Sequence, residues 1–127
     1  MEATGEGREL PVKPKTNRKA SEAVASLSAL AHEGRLQIFR LLVRAGERGM
    51  PAGEISRKTE MLPNTLSANL NILSGAGLVL SHRNGRSIIY AAEYKRVQEL
   101  LAYLMEDCCG GRSEICAPLA SIVNRCC

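Results

Sequence analysis

Between Pro51 and Tyr90 the apolar periodicity changes from helical to alternating, and that change leaves few folds open. Ala52 to Thr59 reads as a short helix, followed by a turn. Pro63 then opens a second helix, because proline suits a first helical turn, where its missing N–H has no intrahelical partner to lose. Leu66, Leu70 and Leu73 recur at helical spacing, forming one apolar stripe that predicts a helix from Pro63 to Ser74. Its other side carries Asn64, Ala68 and Asn71, flanked by Thr65 and Ser67. Gly75 and Gly77 end it, since glycine accepts left-handed backbone angles. Leu78-Val79-Leu80 and Ser87-Ile88-Ile89-Tyr90 are strand-like, and Asn84-Gly85 between them predicts a hairpin from Leu78 to Tyr90.

Helix, turn, helix and basic hairpin is the layout of a winged helix-turn-helix. An amphipathic helix with a polar outer face is ordinarily just a surface helix. Charge separates the two readings. From Met61 to Ala92 there is no Asp or Glu, while the hairpin holds His82, Arg83 and Arg86. A solvated hairpin normally mixes charge signs. A purely positive one, beside a helix bearing short hydrogen-bonding side chains, fits a phosphate-lined partner. The candidate contacts to double-stranded DNA are Asn64, Thr65, Ser67 and Asn69 on the helix, and His82, Arg83 and Arg86 on the hairpin. The net charge of +4 agrees: residues 35–96 carry +6, residues 1–34 carry zero and residues 97–127 carry −2.

The flanking chain predicts a mainly α domain. With 127 residues the chain is bounded to one domain plus tails. Residues 1–17, with Gly5, Gly7, Pro11 and Pro14 among charged side chains, read as a disordered tail. Residues 18–107 form the DNA-binding and dimerisation domain, and residues 108–127 a cysteine-containing segment. Ala20 to Ala31 is expected to be a helix with Ala23, Val24, Leu27, Leu30 and Ala31 on its apolar face. Arg35 to Ala45 is a second, with Leu36, Phe39, Leu42 and Val43 inward, followed by a loop from Glu47 to Met50. Glu93 to Asp107 is a long helix with Val97, Leu100, Leu101 and Leu104 as its stripe. The stripes of the first and last long helices are natural homodimer surfaces, although most such stripes pack on their own core. Two half-sites give a DNA reader affinity and register. No apolar run approaches membrane-spanning length and the N-terminus lacks a signal-peptide core, so a cytoplasmic protein is expected.

The cysteines are the second signal. All five, Cys108, Cys109, Cys116, Cys126 and Cys127, lie in the last twenty residues. Gly110-Gly111 permits a sharp reversal, so Cys116 can return over Cys108 and Cys109. Structural zinc prefers four ligands, usually from C-x-x-C pairs, and no such pair occurs. His32 and His82 sit elsewhere in the chain. Three soft thiolates without histidine suit a three-coordinate pyramidal ion such as arsenite, As(III), or antimonite, Sb(III). Inert buried cysteine and redox-sensing thiols are the competing readings. Cys126 and Cys127 read as spare thiols. A thiol enzyme would need a base beside its nucleophile, and no histidine lies near the cysteines in sequence.

With both signals in view, the chain resembles the ArsR-type family of winged-helix repressors. The matching residues are Leu30-Ala31, Arg35 to Leu42, Asn64 to Leu70, Gly75 to Val79 and the wing segment Arg83 to Tyr90, so the likeness covers roughly Ala20 to Asp107. It departs from many members at Gly49-Met50-Pro51-Ala52-Gly53, where a cysteine-bearing metal box would stand. Ala68 and Asn69 replace a frequent basic residue and a frequent histidine, and Glu93 to Asp107 lacks the histidine of zinc-sensing members. The subgroup with a C-terminal Cys-Cys-Gly-Gly and a further cysteine fits better and places the inducer site at Cys108, Cys109 and Cys116. The resemblance implies a homodimeric repressor, not an enzyme, that binds operator DNA when empty and is released by arsenite. A repressor selective for methylated trivalent arsenicals, or one switched by thiol oxidation, is the alternative.

Overall fold

The computed structural model describes residues 14–105. Helices α1 (Pro14–Leu30) and α2 (Glu33–Ala45) lead through a 3-10 turn at Gly46–Arg48 to strand β1 (Met50–Pro51). Helices α3 (Ala52–Thr59) and α4 (Pro63–Gly75) follow, then strands β2 (Val79–Asn84) and β3 (Ser87–Ala92), and helix α5 (Tyr94–Leu104). The three strands form one antiparallel sheet in the order β1-β3-β2. This is the mainly helical, winged helix-turn-helix architecture that the sequence predicts.

One core serves every element. Ile38, Phe39 and Leu42 of α2, Ile55 of α3, and Leu66, Leu70 and Leu73 of α4 bury against Leu78, Val79, Ala92 and Met50. Burying each Leu or Ile contributes about 1.5–3 kcal/mol, so the leucine stripe of α4 is a large share of what holds that helix down. On α2 the inward residues are Ile38, Phe39 and Leu42, whereas Leu36 and Val43, expected inside, are exposed. The core lies on the α3, α4 and β3 side of α2, so its apolar face is rotated toward Ile38.

The chain departs from its sequence-level reading at four further places. The α1 helix begins at Pro14, inside the stretch expected to be tail. Its buried side chains are Ala23, Ser26 and Ala29, small enough for close approach to its neighbours, while Val24 and Leu27 point outward. The α2 helix begins two residues early because His32 caps it: Nδ1 accepts from the backbone N–H of Gly34 at 3.1 Å and of Arg35 at 3.4 Å. Histidine is not among the usual capping residues, so composition gives no warning. The segment expected as a loop holds β1, pairing Met50 with Tyr90 and Pro51 with Ile89. Pro51 is tolerated because β1 is an edge strand, where a missing N–H breaks no ladder on the outer side.

Two devices fix the helix-turn-helix. Glu60 takes the left-handed conformation at φ 60°, and Ser56 and Thr59 donate side-chain hydrogen bonds to the carbonyls of Met61 and Ile55. Behind the turn, Arg35 links three helices. Its Nε donates to the Ala29 carbonyl of α1 at 2.6 Å and its Nη1 to Asn69 Oδ1 of α4 at 3.4 Å. Asn69 Nδ2 in turn points at the Met61 sulfur, 3.8 Å away.

At the other end of the core, Glu93 starts α5 by accepting from the Lys95 N–H at 3.3 Å, and its own N–H donates to the Leu78 carbonyl at 2.8 Å. The Tyr94 hydroxyl donates to the Val43 carbonyl at 3.2 Å, tying α5 to α2. Arg96 pairs with Glu22 of α1 at 3.6 Å, an exposed contact of small energetic weight. On α5 Leu100 is buried and Val97 half-buried, but Leu101 and Leu104 are exposed.

Gly49 sits at φ 71°, ψ −160°, a region open essentially only to glycine, and an added Cβ would strike the Tyr90 carbonyl oxygen and reach 3.0 Å from Ile89 Cγ2. Gly49→Ala is expected to lower stability by about 2–4 kcal/mol in urea unfolding, while Gly75→Ala, which meets nothing within 4 Å, should be neutral or slightly stabilising. Equal effects at the two positions would refute the contact with β3. Asn69→Ala should cost about 1–2 kcal/mol by removing the acceptor of Arg35, against a change within about 0.5 kcal/mol for Ser67→Ala. An Asn69→Ala protein as stable as wild type would show that the Arg35 link carries no weight.

Candidate nucleic-acid interface

Burial of Leu66, Leu70 and Leu73 sets the rotation of α4 about its axis, and the rotation decides what faces out. Asn64, Thr65, Ser67, Ala68 and Asn71 are all exposed, as the spacing predicts. All but Ala68 present amide or hydroxyl groups at a width an α-helix can carry into a major groove, where base edges display donor and acceptor patterns that such side chains match. Asn69 is the exception and corrects the sequence-level assignment. It is 6% exposed and its amide is engaged by Arg35 and Met61. Position 69 follows Leu66 by three residues and precedes Leu70 and Leu73, so it shares their face. Its place is behind the outer surface of α4, where it steadies the helix.

The hairpin presents the charge. His82, Arg83 and Arg86 are all exposed. Register places Arg83 opposite Ile88 and Asn84 opposite Ser87, which leaves Gly85 and Arg86 as the two central turn residues. The turn is therefore one position later than Asn84-Gly85. Gly85 has φ 67° and Arg86 is not left-handed, the pattern of a type II′ turn, which needs glycine at its first central position. The shift puts Arg86 at the tip of the wing, the furthest reach of the hairpin. Past Val79 every residue of β2 is exposed, so the outer hairpin is held by its own ladder rather than by the core.

Helix face and wing belong to the segment from Met61 to Ala92 that lacks carboxylates, so Coulomb attraction to a phosphate backbone meets no opposing charge from within that segment, although Glu60 is exposed in the turn just before it. Recognition helix and basic wing together can fix a protein on a duplex through phosphates while α4 reads bases. Arg35 is the residue that sequence reasoning passed over. It lies in the part of α2 that carries the family likeness, but its partners at Ala29 and Asn69 are 6 and 34 residues away, and no local pattern announces them. The sequence-level metalloid ligands Cys108, Cys109 and Cys116, with Cys126 and Cys127, lie outside the described residues. Among the described residues no group of three or more His, Cys, Asp or Glu side chains is placed to hold a metal ion. No helix among them is long and apolar enough to cross a membrane.

Comparison with known proteins points the same way. Residues 30–82 match the model of a helix-turn-helix domain family. The chain is 34% identical over 96 residues to the HTH-type transcriptional regulator NmtR of Mycobacterium tuberculosis, covering 76% of this chain and 78% of that protein. Among solved structures, an ArsR-like transcriptional regulator from Rhodococcus sp. RHA1 superposes with a TM-score of 0.63 at 27% identity, over 83% of this chain and 92% of the other. The homodimeric winged helix-turn-helix DNA-binding domain of Mb0332 from Mycobacterium bovis, described as a possible ArsR-family regulator, gives 0.61 at 27% identity, over 75% and 87%. With the carboxylate-free helix face and wing already in place, these likenesses make the chain a transcriptional regulator rather than an enzyme, and it belongs to the ArsR-like family of winged helix-turn-helix regulators.

Proposed function

We propose that this regulator is a homodimeric, cytoplasmic repressor that binds operator DNA in its empty state and is released by trivalent arsenic or antimony bound at Cys108, Cys109 and Cys116. The observation that carries the metalloid part is the confinement of all five cysteines to residues 108–127, directly after the last helix of the domain. Thiolates are the ligands such soft ions prefer, and the Cys-Cys-Gly-Gly spacing with a third cysteine six residues after Gly110 supplies three of them within one short segment. Cys126 and Cys127 lie beyond Pro118, and recruiting them requires ordering a longer loop at additional entropic cost.

The dimer is supported by what α1 and α5 leave uncovered. The two helices pack against each other, yet Val24 is 63%, Leu27 44%, Leu101 50% and Leu104 52% exposed. A small domain whose core has one Phe and no Trp gains from covering such side chains with a second copy. Release then follows from position. A ligand moves an equilibrium only by its differential affinity for the two states. Drawing three thiolates onto one ion just past α5 acts on the helix proposed to join the protomers, and so on the spacing of the two reading heads. Coupling of about 1–3 kcal/mol would change operator affinity by roughly 5–150-fold.

Gel-shift titration with and without arsenite, under fully reducing conditions, tests the reading and separates it from a redox switch. Single Cys→Ser changes at 108, 109 or 116 should leave DNA binding intact and abolish release. Cys126→Ser with Cys127→Ser should leave both intact, and loss of induction in that double variant alone would move the site to the terminus. Arsenite arrives as As(OH)3 and each thiol proton leaves with one of its hydroxides as water, so metalloid affinity should be nearly flat through the neutral range and fall once the free thiols ionise, above about pH 8.5. For the DNA side, Arg83→Ala with Arg86→Ala should weaken binding and flatten its dependence on log salt, whereas Asn64→Ala or Ser67→Ala should weaken it without changing arsenite affinity. An unchanged salt slope in the arginine double variant would take the wing out of the mechanism.

A further inference from the structure

Leu62 is not explained by the core or by the polar surface of the reading head. It is 73% exposed, the most exposed large hydrophobic side chain among the described residues. It is also the N-cap of α4, with extended backbone at φ −65°, ψ 149° and no side-chain capping bond. Leucine is among the poorest residues at such a position, because it offers no oxygen to the free N–H groups of the first turn. One residue thus contradicts two local preferences at once, exposure and capping. Contradictions of that kind concentrate where a surface contacts something.

The surroundings narrow what that something is. Pro63, Asn64 and Thr65 follow directly, all exposed, and Met61 behind is half-buried. A single large apolar side chain among short polar ones is too small to be the apolar core of a protein interface. It stands instead at the leading end of the helix read above as entering the major groove, and the N-terminal residues of such helices are those that reach base edges. The apolar feature of that groove is the C5-methyl group of thymine. We propose that Leu62 is a specificity-determining residue, whose δ-methyl groups seat against the C5-methyl of one thymine per half-site, beside the bases met by Asn64 and Thr65. The proposal rests on the DNA-binding reading above and adds to it a named base.

Removing a thymine methyl tests this without altering the protein. Duplexes are selected from a random-sequence pool with the full-length wild-type chain, and each thymine of the selected site is replaced in turn by deoxyuridine, which lacks only that methyl. One position per half-site should lose affinity by roughly fourfold, the factor corresponding to one buried methyl-sized group. Leu62→Ala should bind the thymine duplex more weakly by at least that factor and be indifferent to deoxyuridine at the same position, with its circular dichroism and its affinity for unrelated DNA unchanged. Wild-type indifference to every deoxyuridine, or full deoxyuridine sensitivity retained in Leu62→Ala, overturns the assignment while DNA binding stands. Failure to select any duplex overturns the DNA-binding reading and the Leu62 contact with it.

Discussion

The burial of three leucines on one side of α4 is the constraint on which the rest depends. Leu66, Leu70 and Leu73 can enter the core in only one rotation of the helix, and Ile38, Leu42 and Ile55 are already there to receive them. Interiors are packed too tightly for α4 to turn about its axis without opening a void. The same contact that stabilises the fold therefore aims Asn64, Thr65 and Ser67 outward. The outer face is specified by chemistry on the inner one, and that is why the leucine spacing alone indicated which side chains of α4 are exposed.

Legibility followed the range of the interactions. The α3 and α4 helices and the hairpin rest on local signals, namely Pro63, a regular leucine stripe and a glycine turn, and they appear within a few residues of their expected bounds. The inward faces of α1 and α2 were read less well, because each helix is apolar on more than one side. Sequence spacing admitted Val24 and Leu27 to the interior of α1, but close packing against its neighbours admits Ala23, Ser26 and Ala29. Met50 and Pro51 gave no strand signal, since a two-residue strand exists only through its partners in β3. Of the seven candidate DNA contacts, Asn69 alone is turned inward, and the arginine that holds it lies 34 residues earlier. Long-range polar links of this sort have no period to reveal them.

That link joins the halves of the domain that the proposed mechanism must connect. Arg35 holds the end of α1 through the Ala29 carbonyl and the middle of α4 through Asn69, while Arg96 and Tyr94 connect α5 back to α1 and α2. Polar contacts thus run from α5 through α1 and α2 to α4, the Arg96–Glu22 pair being the weakest of them. The hydrogen bond at 2.6 Å to Ala29 is a charge-assisted one, among the stronger kinds available to a guanidinium.

The sheet is unevenly supported along its length. At its base β3 is paired on both edges, by β1 at Ile89 and Tyr90 and by β2, and Val79 and Ala92 are buried there. At its tip, from His82 to Ser87, no side chain enters the core. The wing is in effect a cantilever, clamped at one end and free at the other. Apart from Gly85, whose positive φ the turn requires, replacements at the free end leave the clamp untouched, and surface changes of this sort typically alter stability by less than about 0.5 kcal/mol. Its length and charge can accordingly change without endangering the fold, which makes the hairpin tip a place where the proposed contact to DNA could be retuned at almost no cost in foldedness.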